Sequence, residues 1–172
     1  MLEYYIQRRK AECGAGGFVQ DKQGKKLYYL TGQIGRAGDR LVLYSIEGKR
    51  LAKIVQSSSN FGTHFDLYLA EEKKARMTKL INWPMQTYVV PSCKWLVYGD
   101  SNRHNYHIQN GNKTVMYMYP ATTLMGDVFS LEIANEDDVP FCLCIAYVLD
   151  SWVQEKKSAI RRVVAGFPFP VV

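Results

Sequence analysis

The sequence predicts a mainly β fold: a closed antiparallel barrel of about twelve short strands, built from two duplicated halves around a buried, apolar C-terminal helix. Three observations carry that prediction. Short β-rich runs alternate with Gly and polar turns along most of the chain. Motifs in the first half return in the second half in the same order. One late run, Val139 to Leu149, is apolar on every side.

The elements follow in chain order. Residues 1–10 alternate weakly and read as an edge strand. Residues 11–26, with Gly14, Gly16, Gly17 and Gly24 among polar neighbours, read as a loop. Leu27-Tyr-Tyr-Leu30 is a strand, and a Gly-spaced stretch follows it. Arg40 to Ile46, a Glu47-Gly48 turn and Leu51 to Val55 form a hairpin. Residues 57–60 read as a loop. Thr63 to Leu69 places Phe65, Leu67 and Leu69 on one face, as in a half-buried strand.

The second half repeats this grammar: Leu96 to Asp100, Tyr106 to Ile108, a Gln109-Asn110-Gly111 turn, Thr114 to Tyr119, and Asp127 to Ile133 after Gly126. Gly38-Asp39 matches Gly99-Asp100, and Tyr44-Ser-Ile46 matches Tyr106-His-Ile108. Gly48 matches Gly111, and Phe65 to Leu69 matches Phe129 to Ile133. The expected organisation is one domain over residues 1–172, with pseudo-repeats at about 27–80 and 92–153 and a tail over 154–172.

A closed sheet of that many strands has a bore too wide for its own side chains to fill. The run from Val139 supplies a filler. Acidic Asn135-Glu-Asp-Asp138 and then Pro140 mark a helix start, with Asp137 or Asp138 capping free N–H groups. The run is too short for a bilayer, which takes about 20 residues. A helix from Val139 to Val153 would be about 22 Å long. A buried strand is the alternative. No turn separates the run from the helix-compatible residues after Asp150, which favours the helix.

Charge is uneven. Net charge is +6, with an excess of cations in residues 1–80 and an excess of carboxylates in residues 81–152. The second segment argues against a continuous basic groove for nucleic acid. The densest basic cluster is Glu71-Glu-Lys-Lys-Ala-Arg-Met-Thr-Lys79. On a regular strand Lys74 and Arg76 share one face, while Lys73 and Lys79 share the other with Ala75 and Met77. Lys73, Lys74, Arg76 and Lys79 are therefore the candidate contacts for anionic lipid. Arg8-Arg9-Lys10 and the pairs Lys156-Lys157 and Arg161-Arg162 are secondary candidates.

No catalytic signature appears. Gly14-Ala-Gly-Gly17 lacks the Lys-Ser/Thr of a phosphate loop. Cys93 has no local nucleophile signature. His104 and His107 project to opposite faces of a strand, which argues against a metal site with His64. The expectation is a protein with no catalytic residues, no metal and no cofactor. Cys13, Cys93, Cys142 and Cys144 lack a disulfide spacing and read as reduced thiols. With no apolar h-region at the start, the expected location is cytoplasmic, peripheral at the inner membrane face if lipid is bound.

The paired Gly-Asp turns, the Tyr-x-Ile hairpins and a late helix ending in Val148-Leu-Asp150 resemble the LURP-one-related family over roughly residues 25–153. That family lies in the tubby C-terminal-like superfamily, with the phospholipid scramblases. The resemblance implies a twelve-stranded barrel around a central C-terminal helix. It also implies a binding module with affinity for anionic lipid or, alternatively, a protein-interaction or scaffold domain without a small ligand. The scramblase features of a Pro-rich tail, a Cys-rich acylation cluster and a terminal membrane helix are absent here. No lipid-contacting residue of tubby proteins aligns with this chain.

Overall fold

The computed structural model describes residues 1–8, 16–60, 62–81, 85–124 and 126–151. Its first six strands are β1 (Leu2–Arg8), β2 (Gly16–Gln20), β3 (Lys26–Gly32), β4 (Arg40–Ser45), β5 (Arg50–Ser59) and β6 (Gly62–Leu69). The next six are β7 (Glu72–Ile81), β8 (Gln86–Val90), β9 (Trp95–Asp100), β10 (Asn105–Asn110), β11 (Lys113–Thr123) and β12 (Gly126–Ile133). Every strand pairs antiparallel with its sequence neighbours, and β1 with β12 closes the ring. A helix, α1, occupies residues 139–151. The closed barrel with a central C-terminal helix is the fold that the sequence predicts.

Closure leaves no unpaired edge in the ring. Residues 1–10 were expected to form an edge strand. Instead β1 bonds β12 on one side, with Tyr4 opposite Leu131, and β2 on the other, with Ile6 opposite Val19. Two further expectations are corrected. The predicted loop over 11–26 contains β2, and the predicted loop over 57–60 is largely the end of β5, where Ser57 faces His64 and Ser58 faces Thr63.

Side chains alternate as the pleat requires. Leu41 and Leu43, Ala52 and Ile54, Phe65 and Leu67, Val97, Ile108, Met116, Met118, Leu131 and Ile133 are buried in the bore. They meet α1, whose residues from Phe141 to Asp150 are all buried. Glu136–Asp138 form a short 3-10 turn that leads into α1. Even-numbered strands are mutually parallel, so α1 enters at the end where β12, β4 and β6 finish (the lower end) and leaves at the other.

At Gly17, glycine lets β2 approach the β1 backbone closely. A Cβ on Gly17 would lie 3.7 Å from the Tyr147 ring of α1 and 3.0 Å from the Gln7 carbonyl. Glycine inside a strand often marks such a close approach.

Of the segments matched in the sequence, Tyr44 and Tyr106 fall on β4 and β10, Gly48 and Gly111 on the turns after them, and Phe65 to Leu69 and Phe129 to Ile133 on β6 and β12, each six strands apart. Gly38-Asp39, by contrast, lies in the β3–β4 loop, whereas Gly99-Asp100 ends β9. One match does not share its facing. Tyr106 is buried in the bore, whereas Tyr44 is half-buried and stacked on Tyr29 at 5.0 Å.

Candidate functional site

The bore offers no room for a ligand along α1. Leu143, Cys144, Ile145, Ala146, Val148 and Leu149 are all fully buried against the sheet. The cysteine thiols there are suppressed as acids: burial pushes Cys144 up to about 12 and Cys142 well above its ordinary value. Cys93, Cys142 and Cys144 are free thiols. Cys13 lies outside the described residues.

Each end of the barrel has its own chemistry. At the upper end the interior turns polar. The Tyr88 hydroxyl donates to Gln86 Oε1 at 3.2 Å, and His104 Nδ1 lies 4.0 Å from Asp150 Oδ1. Burial raises the Tyr106 hydroxyl above its ordinary range, and the nearby Asp150 and Asp100 charges add to this. These groups sit under loops, with Gln86, Tyr88, Tyr106 and Asp150 all buried. At the lower end an open cleft of 730 Å³ lies beside the start of α1, lined by Cys93, Trp95, Lys113, Val115 and Asp138 among others. Burial, and then the Asp138 carboxylate, raise the Cys93 thiol, so it is a poor nucleophile.

The outside of the ring is a further candidate surface, where the basic cluster lies on β7. A β-bulge rearranges that cluster. Leu67 of β6 pairs with Ala75, but Tyr68 pairs with Lys73, which leaves Lys74 as the extra residue. The regular alternation expected from the sequence puts Lys73 on the inner face with Ala75 and Met77. The bulge turns it outward instead, onto the same face as Arg76.

Both cations converge on Asp66. Lys73 Nζ is 2.8 Å from Asp66 Oδ1, Arg76 Nε is 2.6 Å from the same oxygen, and Arg76 Nη2 is 3.1 Å from Oδ2. Burial alone would push the Asp66 carboxyl up. The hydrogen bonds and charges of Arg76 and Lys73 outweigh it and hold Asp66 below the usual carboxylate range. Lys74 bonds Glu72 at 2.6 Å. Next to it Arg50 pairs with Glu71, and Lys53 lies 3.7 Å from Glu71 and 4.5 Å from the centre of the Tyr68 ring.

Lys79 lies apart from these three. It faces Tyr88 across the β7–β8 pairing, its ammonium 5.6 Å from that ring. The structure thus groups Lys73, Lys74 and Arg76 as one network with carboxylates, and leaves Lys79 at the far end of β7. Sequence reading missed Arg50, Lys53 and Asp66, because only strand pairing brings them alongside β7. Arg9, Lys10, Lys156, Lys157, Arg161 and Arg162 lie outside the described residues.

The histidines sit apart. His64 Nδ1 lies 3.1 Å from the Thr78 hydroxyl and Nε2 lies 2.9 Å from the Ser59 hydroxyl, on the outer face. His107 is sandwiched on the outside between Tyr98 at 5.2 Å and Tyr117 at 4.5 Å, and burial lowers its pKa. Among the described residues no three His, Cys, Asp or Glu side chains converge as metal ligands. No helix among them is long and apolar enough to cross a membrane.

Comparison with known proteins agrees with this architecture. A solved Arabidopsis thaliana protein, AT5G01750, superposes with a TM-score of 0.61 over 87% of this chain and 90% of its own, at 12% identity. That likeness concerns the fold. The uncharacterized protein YxjI of Bacillus subtilis is 23% identical over 150 residues, which is 87% of this chain and 93% of YxjI. The LURP-one-related family matches residues 2–150, nearly the whole described barrel, and the chain belongs to that family.

Proposed function

We propose that this protein is a non-enzymatic, tubby-like binding module that works through the outside of its barrel and is recruited peripherally to anionic phospholipid. The observation that carries this reading is the filled bore: α1 occupies the space where an interior ligand would sit. Outside the bore, the first half of the chain is basic. Lys73, Lys74 and Arg76 supply positive charge on the outer face of β7, and Lys79 lies farther along the strand opposite the buried Tyr88. Each cation close to an anionic membrane contributes about 1 kcal/mol.

Asp66 and Glu72 offset part of that charge, which favours a second reading, a protein-interaction or scaffold domain. Exposed ion pairs of this kind are weak, so lipid phosphates can compete for the cations. Co-sedimentation at low salt separates the readings. Pelleting with phosphatidylserine or phosphoinositide vesicles, weakened by added salt, is the expected result. Failure to pellet with either vesicle rejects the lipid reading and leaves the scaffold.

A further inference from the structure

Lys73, Lys74 and Arg76 on β7 are engaged with carboxylates. The lower end carries a second basic feature whose cations hold no carboxylate within ion-pair distance among the described residues, although Lys26 Nζ lies 4.1 Å from the centre of the Phe18 ring. The β4–β5 turn is tightly bonded: Gly48 N donates to Ser45 O at 2.9 Å, and Ser45 N to Lys49 O at 2.8 Å. Gly48 takes φ +89°, as such a turn requires. Ile46 N also donates to Leu27 O at 3.1 Å, fixing the turn to β3. This rigid tip holds Ile46 out into solvent, 46% exposed.

Lysines surround that apolar tip. Lys49 follows it in the turn. Lys25 lies near enough to Glu47 to help hold that carboxyl ionised, after the stronger contributions of Ser45 and the backbone. Lys26 begins β3 beside it. Among the described residues, Lys25, Lys26 and Lys49 hold no carboxylate within ion-pair distance, whereas Lys73, Lys74 and Arg76 all do. The Asp21 carboxylate on the neighbouring β2–β3 turn is occupied by two backbone N–H groups, of Gln23 and Lys25, both at 2.9 Å.

Another part of the lower rim is acidic. Glu136 and Asp137, both exposed, lead into α1. Burial and Tyr28 raise the Tyr4 hydroxyl of β1, and the Glu136 charge adds to this, which places these acids near the β1 side of the mouth. The β10–β11 turn is six strands from the β4–β5 turn, across the ring. The lower rim thus carries an apolar, lysine-flanked tip on one sector and the acidic entry to α1 on another, with the exposed Lys94 and Lys113 on turns between them.

We propose that the β4–β5 tip is the leading contact with anionic membrane, Ile46 entering the interface and Lys25, Lys26 and Lys49 meeting lipid phosphates. An exposed aliphatic side chain ringed by lysines matches the two attractions that hold a peripheral protein at a lipid surface, apolar burial and charge. The inference rests on the lipid reading above and names its docking element.

The test uses vesicles containing about one-third phosphatidylserine in phosphatidylcholine, and pure phosphatidylcholine vesicles as the control. The Lys25→Gln/Lys49→Gln protein and the Ile46→Asn protein should each bind about tenfold more weakly than wild type. The Lys74→Gln/Arg76→Gln protein should also bind more weakly, but by only about threefold, because those cations are shared with carboxylates. Ile46→Trp should shift its emission to the blue on the phosphatidylserine vesicles only. Wild-type-like binding by the tip variants, or a loss confined to the Lys74/Arg76 variant, overturns the tip assignment and leaves the lipid reading standing. Wild-type protein that pellets with neither vesicle overturns both. All these positions are exposed, and coincident unfolding curves confirm that each variant folds.

Discussion

Arg76 on β7 is held by both carboxylate oxygens of Asp66 on β6, at 2.6 Å from Nε and 3.1 Å from Nη2. Lys73 reaches the same carboxylate only because the bulge at Lys74 turns it outward. Two of the four cations that the sequence offers for lipid are therefore tied to one acid.

That arrangement predicts a pH-dependent contribution from Asp66. Its carboxyl is held below the unfolded value, so its stabilisation is present above about pH 4 and is lost as pH falls through the folded value. Asp66→Asn should cost about 1 kcal/mol at pH 7, a modest figure because both cations are half-exposed. Urea unfolding of the two proteins at several pH values measures it. The gap should close toward pH 3; a gap of equal size at pH 3 and pH 7 would exclude the ion pairs as its source.

His107 gives a second pH signature, three strands along the ring from β7. Burial between Tyr98 and Tyr117 disfavours its charged form. The unfolded chain therefore takes up a proton more readily than the folded one as pH falls below about 6.5. Wild type should lose stability relative to His107→Phe as pH drops through that region. His107→Ala should cost about 1–2 kcal/mol at pH 8 through lost stacking. Parallel pH profiles for wild type and His107→Phe would contradict the assignment.

The thiols report on the plug directly. Cys142 and Cys144 are fully buried with raised pKa values, and Cys93 is half-buried. Iodoacetamide at pH 8 should leave Cys142 and Cys144 unmodified in the folded protein and alkylate both in urea. Peptide mapping assigns the sites. Alkylation of Cys144 in the folded protein at the denatured rate would show that α1 is not packed in the bore.

Most of the architecture was legible because burial writes a period into the sequence. Phe65, Leu67 and Leu69 alternate as a strand with one face on a core must, and the run after Pro140 is apolar all round because it is surrounded. The elements that escaped notice have polar or Gly-rich sequences for local reasons. Strand β2 carries Gly16 and Gly17, where a Cβ would crowd the Leu30 and Gln7 carbonyls of the strands on either side, so it reads as a loop. Strand β8 starts its buried face with Gln86, which hides the alternation continued by Tyr88 and Val90. In the candidate site, residue types were legible and facing was not. A bulge depends on pairing between two strands, and nothing within Lys73-Lys74-Ala75 marks it. The Glu47-Gly48 turn was visible, but Ile46 read as the last residue of the strand before it, whereas β4 ends at Ser45 and Ile46 stands exposed in the turn.

The central claim is that α1 fills the barrel, and substitution at Ile145, which is fully buried, tests it most directly. Ile145→Val should fold with a loss of about 1 kcal/mol. Ile145→Asp places an unpaired carboxylate among apolar side chains and should yield no cooperatively folded protein at neutral pH. Soluble Ile145→Asp protein with a sharp urea transition near that of wild type would contradict the central placement of the helix, and with it the argument that ligands must bind outside.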